Sequence, residues 1–407
     1  MLPRLIYLLA GAGALSAANL YYSQPLLPSI AESLHISLSE VALLPALTQI
    51  GFAIGIVALL PLADLLERRR LVAVILACLS MALFVHATAP NKPVLFAAAF
   101  MMGITGVVPQ LLTPFAAIIA PRHMAGRAVG LVLSGVLIGV LVSKLVAGSV
   151  TATIGWRALY IGAAFVTLGL AAFMRFQLPL SRPDTSLRYN DLLRSTLVLA
   201  REEPDLRKHA VYGGLTFAAF MTFWSTYAIF LHESFGYGPA AAGLFGIAGL
   251  AGSAAASQAG IQVDRGRFSA VCLAAGTLII AGFLILFLAQ QSIIGLIAGV
   301  VLLDAGAGLS HAANQTSAFT LRPKARGRIN SIYMAGYFLG GAAGTACAAT
   351  IYAQWGWSAV CWFGVALGAA ILLIELGTMH RSAAGRQARH PALNHPAGKV
   401  DVFRNSS

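Results

Sequence analysis

Asp304, Gly308, His311 and Gln315 follow the i, i+4, i+7, i+11 spacing that lines up side chains on one face of an α-helix, within a long apolar run. A carboxylate, an imidazole and an amide on one face can pass a proton or hydrogen-bond a polar guest. Ionisable groups in such runs are costly to bury unless paired or wet. Only Lys144 and Asp304 lie clearly inside one, with Glu375 near the end of the last. A carboxylate whose charge depends on whether its surroundings are wet or dry can exchange a proton, and His311 is an equally natural carrier near neutral pH. Two other roles suit Asp304: a permanent structural pair with Lys144, or recognition of a cationic guest. Lys144 can itself snorkel outward, contact Asp304 or hold an anionic group.

Uncharged polar and aromatic side chains accompany these. The first apolar run carries Asn19, Tyr21, Tyr22 and Gln24, and the seventh carries Phe220, Phe223, Trp224, Ser225 and Tyr227. Amides and rings without fixed charge suit an amphipathic organic compound held mainly by apolar contact. The candidate cavity set is Asn19, Tyr22, Gln24, Gln110, Phe223, Trp224, Asn314, Gln315 and Lys144, with Asp304 and His311 as proton-coupling candidates. Aromatics at run ends also anchor helices at the interface, which suits Tyr227 and Tyr21. Enzyme motifs are missing: there is no GxSxG, HExxH or Walker pattern, and Gly336 to Gly344 sit in an apolar run rather than after a strand. Cys78, Cys272, Cys347 and Cys361 form no CxxC pair, and His380, His390 and His395 lack ligand spacing. An enzyme, a cofactor and a metal are therefore not expected.

The elements that must position these residues follow from composition. Of 407 residues, 58% are apolar and 10% charged, with a mean hydropathy of +0.80. Soluble chains carry about a quarter charged residues, and disorder needs low hydrophobicity, so the solvent is lipid. Unbroken runs rather than ten-residue alternation exclude a β-barrel. Twelve runs are long enough to span a bilayer, at about 5–27, 41–63, 71–89, 94–119, 127–149, 157–175, 210–232, 239–261, 268–289, 293–319, 329–352 and 357–379. The first resembles a signal peptide, with Arg4 ahead of it and Ser16-Ala17-Ala18 within it, but the repeat described next needs it as a helix.

A net charge of +13 suggests nucleic acid in a soluble protein, yet here position decides. Lys92 and Arg157 fall in loops on one side and Lys144 in a run; the other 24 of 27 cations lie on the side of the N-terminus. This is the positive-inside pattern. A shift of 201 residues superposes Gly126-Arg127 on Gly327-Arg328, Gly135 on Gly336, Gly139 on Gly340 and Gly155-Trp156 on Gly356-Trp357. One residue of slippage brings Leu60-x-x-x-Asp64 onto Gly260-x-x-x-Asp264. The chain therefore reads as two six-helix halves, 1–175 and 210–379, joined by a polar linker, 176–209, whose apolar Leu192, Leu193, Leu197, Val198 and Leu199 predict a short amphipathic helix. The segment 380–407 is expected to be a disordered tail. Small residues at three- and four-residue spacing in the fifth, eighth and eleventh runs let helices approach closely, and smooth seams of this kind would let two bundles rock past each other.

Leu60-Pro61-Leu62-Ala63-Asp64-Leu65-Leu66-Glu67-Arg68-Arg69-Arg70 resembles the GxLaDrxGrR loop signature of the major facilitator superfamily, with Leu60 and Glu67 in place of glycines. Gly260-Ile261-Gln262-Val263-Asp264-Arg265-Gly266-Arg267 matches it more closely. The run from Asn19 to Pro28, Val108-Pro109-Gln110, Gly155-Trp156-Arg157, Leu303-Asp304-Ala305-Gly306 and His311 through Asn314-Gln315 are similar to the drug:proton antiporter type of bacterial facilitators. The fifth run departs from the antiporter pattern, with Val140 after Gly139 and Ser143-Lys144 where a glycine pair stands. Aspartates beside arginines at helix ends can form charge-assisted bonds that hold one state closed. That makes Asp64, Arg68, Arg69, Asp264, Arg265 and Arg267 gating candidates, although the arginines also anchor topology.

The resemblance implies an all-α membrane fold of twelve transmembrane helices in two pseudo-symmetric six-helix bundles. It puts helices one, four, seven and ten around a central cavity, and helices two, five, eight and eleven at the bundle interface. It further implies a secondary transporter of the bacterial inner membrane with both termini cytoplasmic, working by alternating access as a monomer. The partners it implies are a small-molecule substrate, protons and the lipid bilayer. Proton-coupled efflux of a small amphipathic organic compound is the first expectation. Proton-coupled or facilitated uptake of a small metabolite is the second, and a non-transporting receptor on the same fold is a third.

Overall fold

A computed structural model describes residues 2–121, 124–181, 188–322 and 325–389, and every regular element among them is helical. The first half contains α1 (Arg4–Leu34), α2 (Leu38–Asp64), α3 (Arg68–Ala87), α4 (Lys92–Ile119), α5 (Ala125–Ile154) and α6 (Trp156–Gln177). The second contains α7 (Pro204–Phe235), α8 (Pro239–Val263), α9 (Phe268–Leu288), α10 (Ile293–Leu321) and one stretch, Arg326–His380. Gly356, at φ 71° and ψ −169°, divides that stretch into α11 (326–355) and α12 (357–380). All these stretches are long and apolar enough to cross a membrane.

Helix boundaries follow local chemistry. Gly155 ends α5 at φ 87°, and Gly356 ends α11 in the same left-handed region, which glycine enters without steric cost. Each is followed by a buried tryptophan, Trp156 or Trp357, so the repeated Gly-Trp pair is one corner used twice. Glu67, where the loop signature has glycine, caps α3: its carboxylate accepts from Arg69 N at 3.0 Å and Arg70 N at 2.9 Å. Asn91 caps α4 through Val94 N at 3.2 Å. Pro25 and Pro28 begin new helical pieces within α1, at Gln24–Leu26 and Leu27–Leu34, because proline cannot continue the preceding ladder.

Glycines set the helix spacing, and the repeat reappears in their contacts. A Cβ on Gly135 or Gly139 of α5 would run into the backbone of Ala10 or Ala14 of α1. Gly336 and Gly340 of α11 stand in the same relation to Ala210 and Gly214 of α7. Gly51 of α2 presses on the Phe100 carbonyl of α4, and Gly252 of α8 on the Asp304 carbonyl of α10. These seams lie inside each half, while α5 meets α8 and α2 meets α11 across the halves, so the small-residue faces serve packing within a half as well as contact between halves. The close glycine contacts that cross between halves are fewer: Gly148 on Pro239 and Gly243, Gly243 and Gly246 on Lys144, Gly249 on Leu141, and Gly341 on Gln49.

Outward faces carry exposed Met81, Ile138, Phe165, Leu288 and Leu373, an apolar belt suited to lipid. The arginine-rich loops and the linker gather at one end of the bundle, hereafter the basic end. There the linker helix (Tyr189–Glu202) buries Leu192, Thr196 and Leu199, and Tyr189 donates to the Ala58 carbonyl of α2 at 2.9 Å. Helix continues beyond α12 through Arg389, where the sequence reading expects disorder from 380; alanine, arginine and glutamine in this stretch favour helix. Arg122, Lys324, the linker residues Arg182, Pro183 and Asp184, and the tail beyond Arg389 lie outside the described residues.

Candidate functional site

α5, α7, α8 and α10 converge on a buried charge cluster near the middle of the bundle. Lys144 and Asp304 are each only 2% exposed. The Lys144 ammonium lies 2.8 Å from the centroid of the Trp224 ring and 5.9 Å from that of Phe220, within the range of a cation–π contact. The Trp224 indole N–H donates to Asp304 Oδ1 at 3.0 Å. No direct ion pair joins lysine to aspartate, and one indole serves both. Glycines on α8 make the room: a Cβ on Gly246 would sit 2.9 Å from Lys144 Cβ, and one on Gly249 3.2 Å from Asp304 Oδ2. Of the three roles open to Lys144, snorkelling is excluded by this burial. Since α5 belongs to the first half and the others to the second, the cluster joins the two.

Along α10 the remaining candidates take different partners. His311 Nδ1 lies 3.1 Å from the Tyr333 hydroxyl, and its ring packs 4.4 Å from that of Tyr337, both on α11. Gln315 Nε2 donates to Asn330 Oδ1 at 3.2 Å, and Asn330 Nδ2 donates to Gln110 Oε1 at 3.2 Å. This amide ladder ties α4 to α10 and α11 across the halves, close to the basic end. Gln110, which the repeat matches to His311, thus reaches the second half through Asn330.

Four of the cavity candidates turn away from the seam between halves. Asn19 Nδ2 donates to Thr167 Oγ1 of α6 at 3.0 Å, and Tyr22 packs edge-on against Tyr160 at 6.1 Å, both inside the first half. Asn314 Oδ1 lies 2.8 Å from His209 Nδ1, and Phe223 packs among Trp224, Tyr227 and Trp357, both inside the second. The rotation of each helix about its own axis decides this, and a list of polar residues in a run does not contain it. Gln24 does reach the seam, where it borders a small cavity with Gln49, Phe52 and Phe338. Gln49 was missed by the sequence reading, although Thr48-Gln49 is the one polar pair within 41–63.

At the gating loops Asp64 meets Arg68 at 3.9 Å, with the aspartate side chain 64% exposed. Arg68 Nη1 also donates to Ser181 Oγ at 2.9 Å. Arg69 offers its backbone N–H to Glu67. In the second copy Arg267 donates to Gln262 Oε1 at 3.3 Å and Arg265 is exposed; the Asp264 side chain lies outside the described residues. Among the described residues these loops hold no ion pair across the halves. At the opposite end a cavity of about 670 Å³ opens between the halves, lined by Ser39, Phe230, Glu233, Tyr352 and Trp357 among others, with Tyr352 donating to Glu233 at 2.5 Å.

The chain is 33% identical over 383 residues to the uncharacterized transporter YgaY of Escherichia coli O157:H7, covering 94% of this chain and 97% of that protein. It is 36% identical over 359 residues to Probable transporter SCO4007 of Streptomyces coelicolor, covering 87% and 83%. A 29% match over 182 residues, 43% of each chain, links it to the chloramphenicol efflux pump Rv0191 of Mycobacterium tuberculosis. Among solved structures, the nucleoside transporter NupG superposes with a TM-score of 0.73 at 12% identity, covering 91% of this chain and 99% of that one. The human organic anion transporter MFSD10 does so with a TM-score of 0.69 at 18% identity, covering 92% and 99%. These structural likenesses speak to the fold alone. The Major Facilitator Superfamily model matches residues 9–321 and again 210–405, as a chain of two like halves would, and with twelve spans built as a repeated six-helix unit the chain belongs to that superfamily of multi-pass membrane transporters.

Proposed function

We propose that this transporter exports a small amphipathic organic compound in exchange for protons, with the basic end facing the cytoplasm and Asp304 as the proton carrier. The observation that carries the reading is the Lys144–Trp224–Asp304 cluster at the meeting of α5 with α7, α8 and α10. A carboxylate buried away from water is tolerated as an ion only while its partners hold it. Ionised Asp304 accepts from Trp224 and attracts Lys144, which draws α5 of the first half against the second. Protonation removes that attraction and frees the α5–α8 seam at Gly148, Gly243 and Gly246 to open. Proton arrival from one side and substrate arrival from the other are thereby coupled to the same contact. His311, stacked on Tyr337 and beside Tyr333, is the second titratable group on the same face of α10.

The amides and aromatic rings at the seam, Gln24, Gln49, Phe52 and Phe338, with the Lys144 ammonium already engaged by Trp224, suit a neutral or cationic amphipath. The similarity to a chloramphenicol efflux pump over part of the chain makes phenicols the first compounds to try. In inverted vesicles with an imposed pH gradient, proton release on addition of a transported compound is expected for the native chain. Asp304→Asn is expected to bind the compound and exchange it across the membrane while losing proton release. Unchanged coupling in that variant removes Asp304 as carrier.

A further inference from the structure

The amides at the seam between halves fall into two kinds. Gln110, Asn330 and Gln315 bond to one another. Gln24 and Gln49, 2% and 6% exposed, each bury a side-chain oxygen that has no hydrogen-bond partner. Gln24 Nε2 donates one N–H to Met221 Sδ at 3.6 Å, while its carbonyl oxygen has no partner. Both residues border one cavity of about 10 Å³, closed from the second half by Phe338, whose ring lies 4.1 Å from that of Phe52. Gly341 completes the closure, because a Cβ there would run into Gln49 Oε1 and Phe217. The space is about that of one water, and a buried acceptor left unbonded costs stability.

Two buried amides from different helices, each with an unbonded carbonyl oxygen, border one void walled by the opposite half and offer acceptors to a hydrogen-bond donor. We propose that Gln24 and Gln49 form the acceptor subsite of the transported compound, selecting neutral or cationic compounds that carry an N–H or O–H donor over isosteres that lack it. This deepens the export reading above and rests on it for the substrate's identity. The break in α1 before Gln24 and the start of α2 at Leu38 set the two amides on separate helical pieces. Closure of α11 over them through Phe338 and Gly341 would then desolvate the donor and couple its recognition to the movement of the halves.

The test uses the full chain and has two arms. Gln24→Met and Gln49→Met keep length and remove the acceptor, so the substrate-free protein is expected to melt about 2–4 °C higher in each. A lower melting temperature in either overturns the proposal, since the oxygen is then satisfied at rest by a resident water. The second arm measures transport of thiamphenicol and florfenicol, which share an amide N–H and a benzylic hydroxyl and differ by a terminal hydroxyl replaced with fluorine; that terminal hydroxyl is the donor assigned to the subsite. The native chain is expected to favour thiamphenicol by about 2- to 10-fold, the worth of one hydrogen bond. The preference is expected to fall to about 1 in the methionine variants and to persist in Gln49→Glu, which keeps an acceptor. Equal transport of the pair by the native chain, or an undiminished preference in the methionine variants, overturns the subsite. If neither phenicol moves while both methionine variants melt higher, the unsatisfied acceptor pair stands and the phenicol reading falls.

Discussion

An ammonium and a carboxylate buried about one indole ring are energetically interdependent. Removing one member of a buried charge set leaves the other uncompensated, at a cost of about 3–5 kcal/mol, whereas replacing both with uncharged residues is often close to neutral. Lys144→Met alone strands Asp304 with a single donor, Trp224 Nε1 at 3.0 Å. Asp304→Asn alone leaves the ammonium with only the ring faces of Trp224 and Phe220. Each single variant is therefore expected to melt below the native protein, Asp304→Asn by less because it matches the protonated state of the cycle, and Lys144→Met with Asp304→Asn to recover much of the loss, a coupling of at least about 1 kcal/mol in a double-mutant cycle. Additive losses would mean that the two charges do not sense each other, and the coupling mechanism built on them would go too.

At the scale of elements, glycine contacts decide which helices are fixed to each other. Gly340 lies against the backbone of Gly214, whereas Gly162 and Gly169 on α6 have open space where a Cβ would go. Gly340→Ala forces α7 and α11 apart and is expected to cost about 1–3 kcal/mol. Gly162→Ala is expected to be neutral or to stabilise by about 0.5–1 kcal/mol, since alanine loses less backbone freedom in a helix. Melting curves of the two variants side by side measure the difference. The spans and the repeat were legible because apolar length and the Gly-Trp corner are properties of the chain itself. The loop signature was legible too, but not that Glu67 replaces a glycine in order to cap α3. Helix rotation was not legible, so Asn19 and Tyr22 were assigned to a cavity although α6 takes both. Nor was the fate of Lys144, which is directed inward by Gly243 and Gly246 from a helix about a hundred residues later. Gln49 carried no spacing signal, and its unbonded oxygen exists only once α1, α2 and α11 are brought together.

For the whole molecule, the two ends are closed to different degrees. Toward the basic end the halves are joined by the Gln110–Asn330–Gln315 ladder, and the linker helix is tied to α2 by the Tyr189–Ala58 bond. At the opposite end they part around a cavity of about 670 Å³. A transporter that alternates must exchange these conditions, and the ladder is the part of the basic-end closure made of neutral bonds between side chains. Its bonds are each worth about 0.5–1.5 kcal/mol net, small enough to break in every cycle and large enough to bias the resting population. Asn330 is the middle member, so Asn330→Ala removes both bonds while leaving Gln110 and Gln315 to be solvated as the basic end opens. The loss of about 1–3 kcal/mol shifts the equilibrium toward the basic-end-open state by about 5- to 150-fold. Spin labels at positions 66 and 265, exposed and on loops of the two halves, read this directly: the distance distribution is expected to move to longer values in Asn330→Ala without substrate. If the distribution stays where it is in the native protein, the ladder is packing rather than a latch, and the closure must reside in the loops and the linker helix.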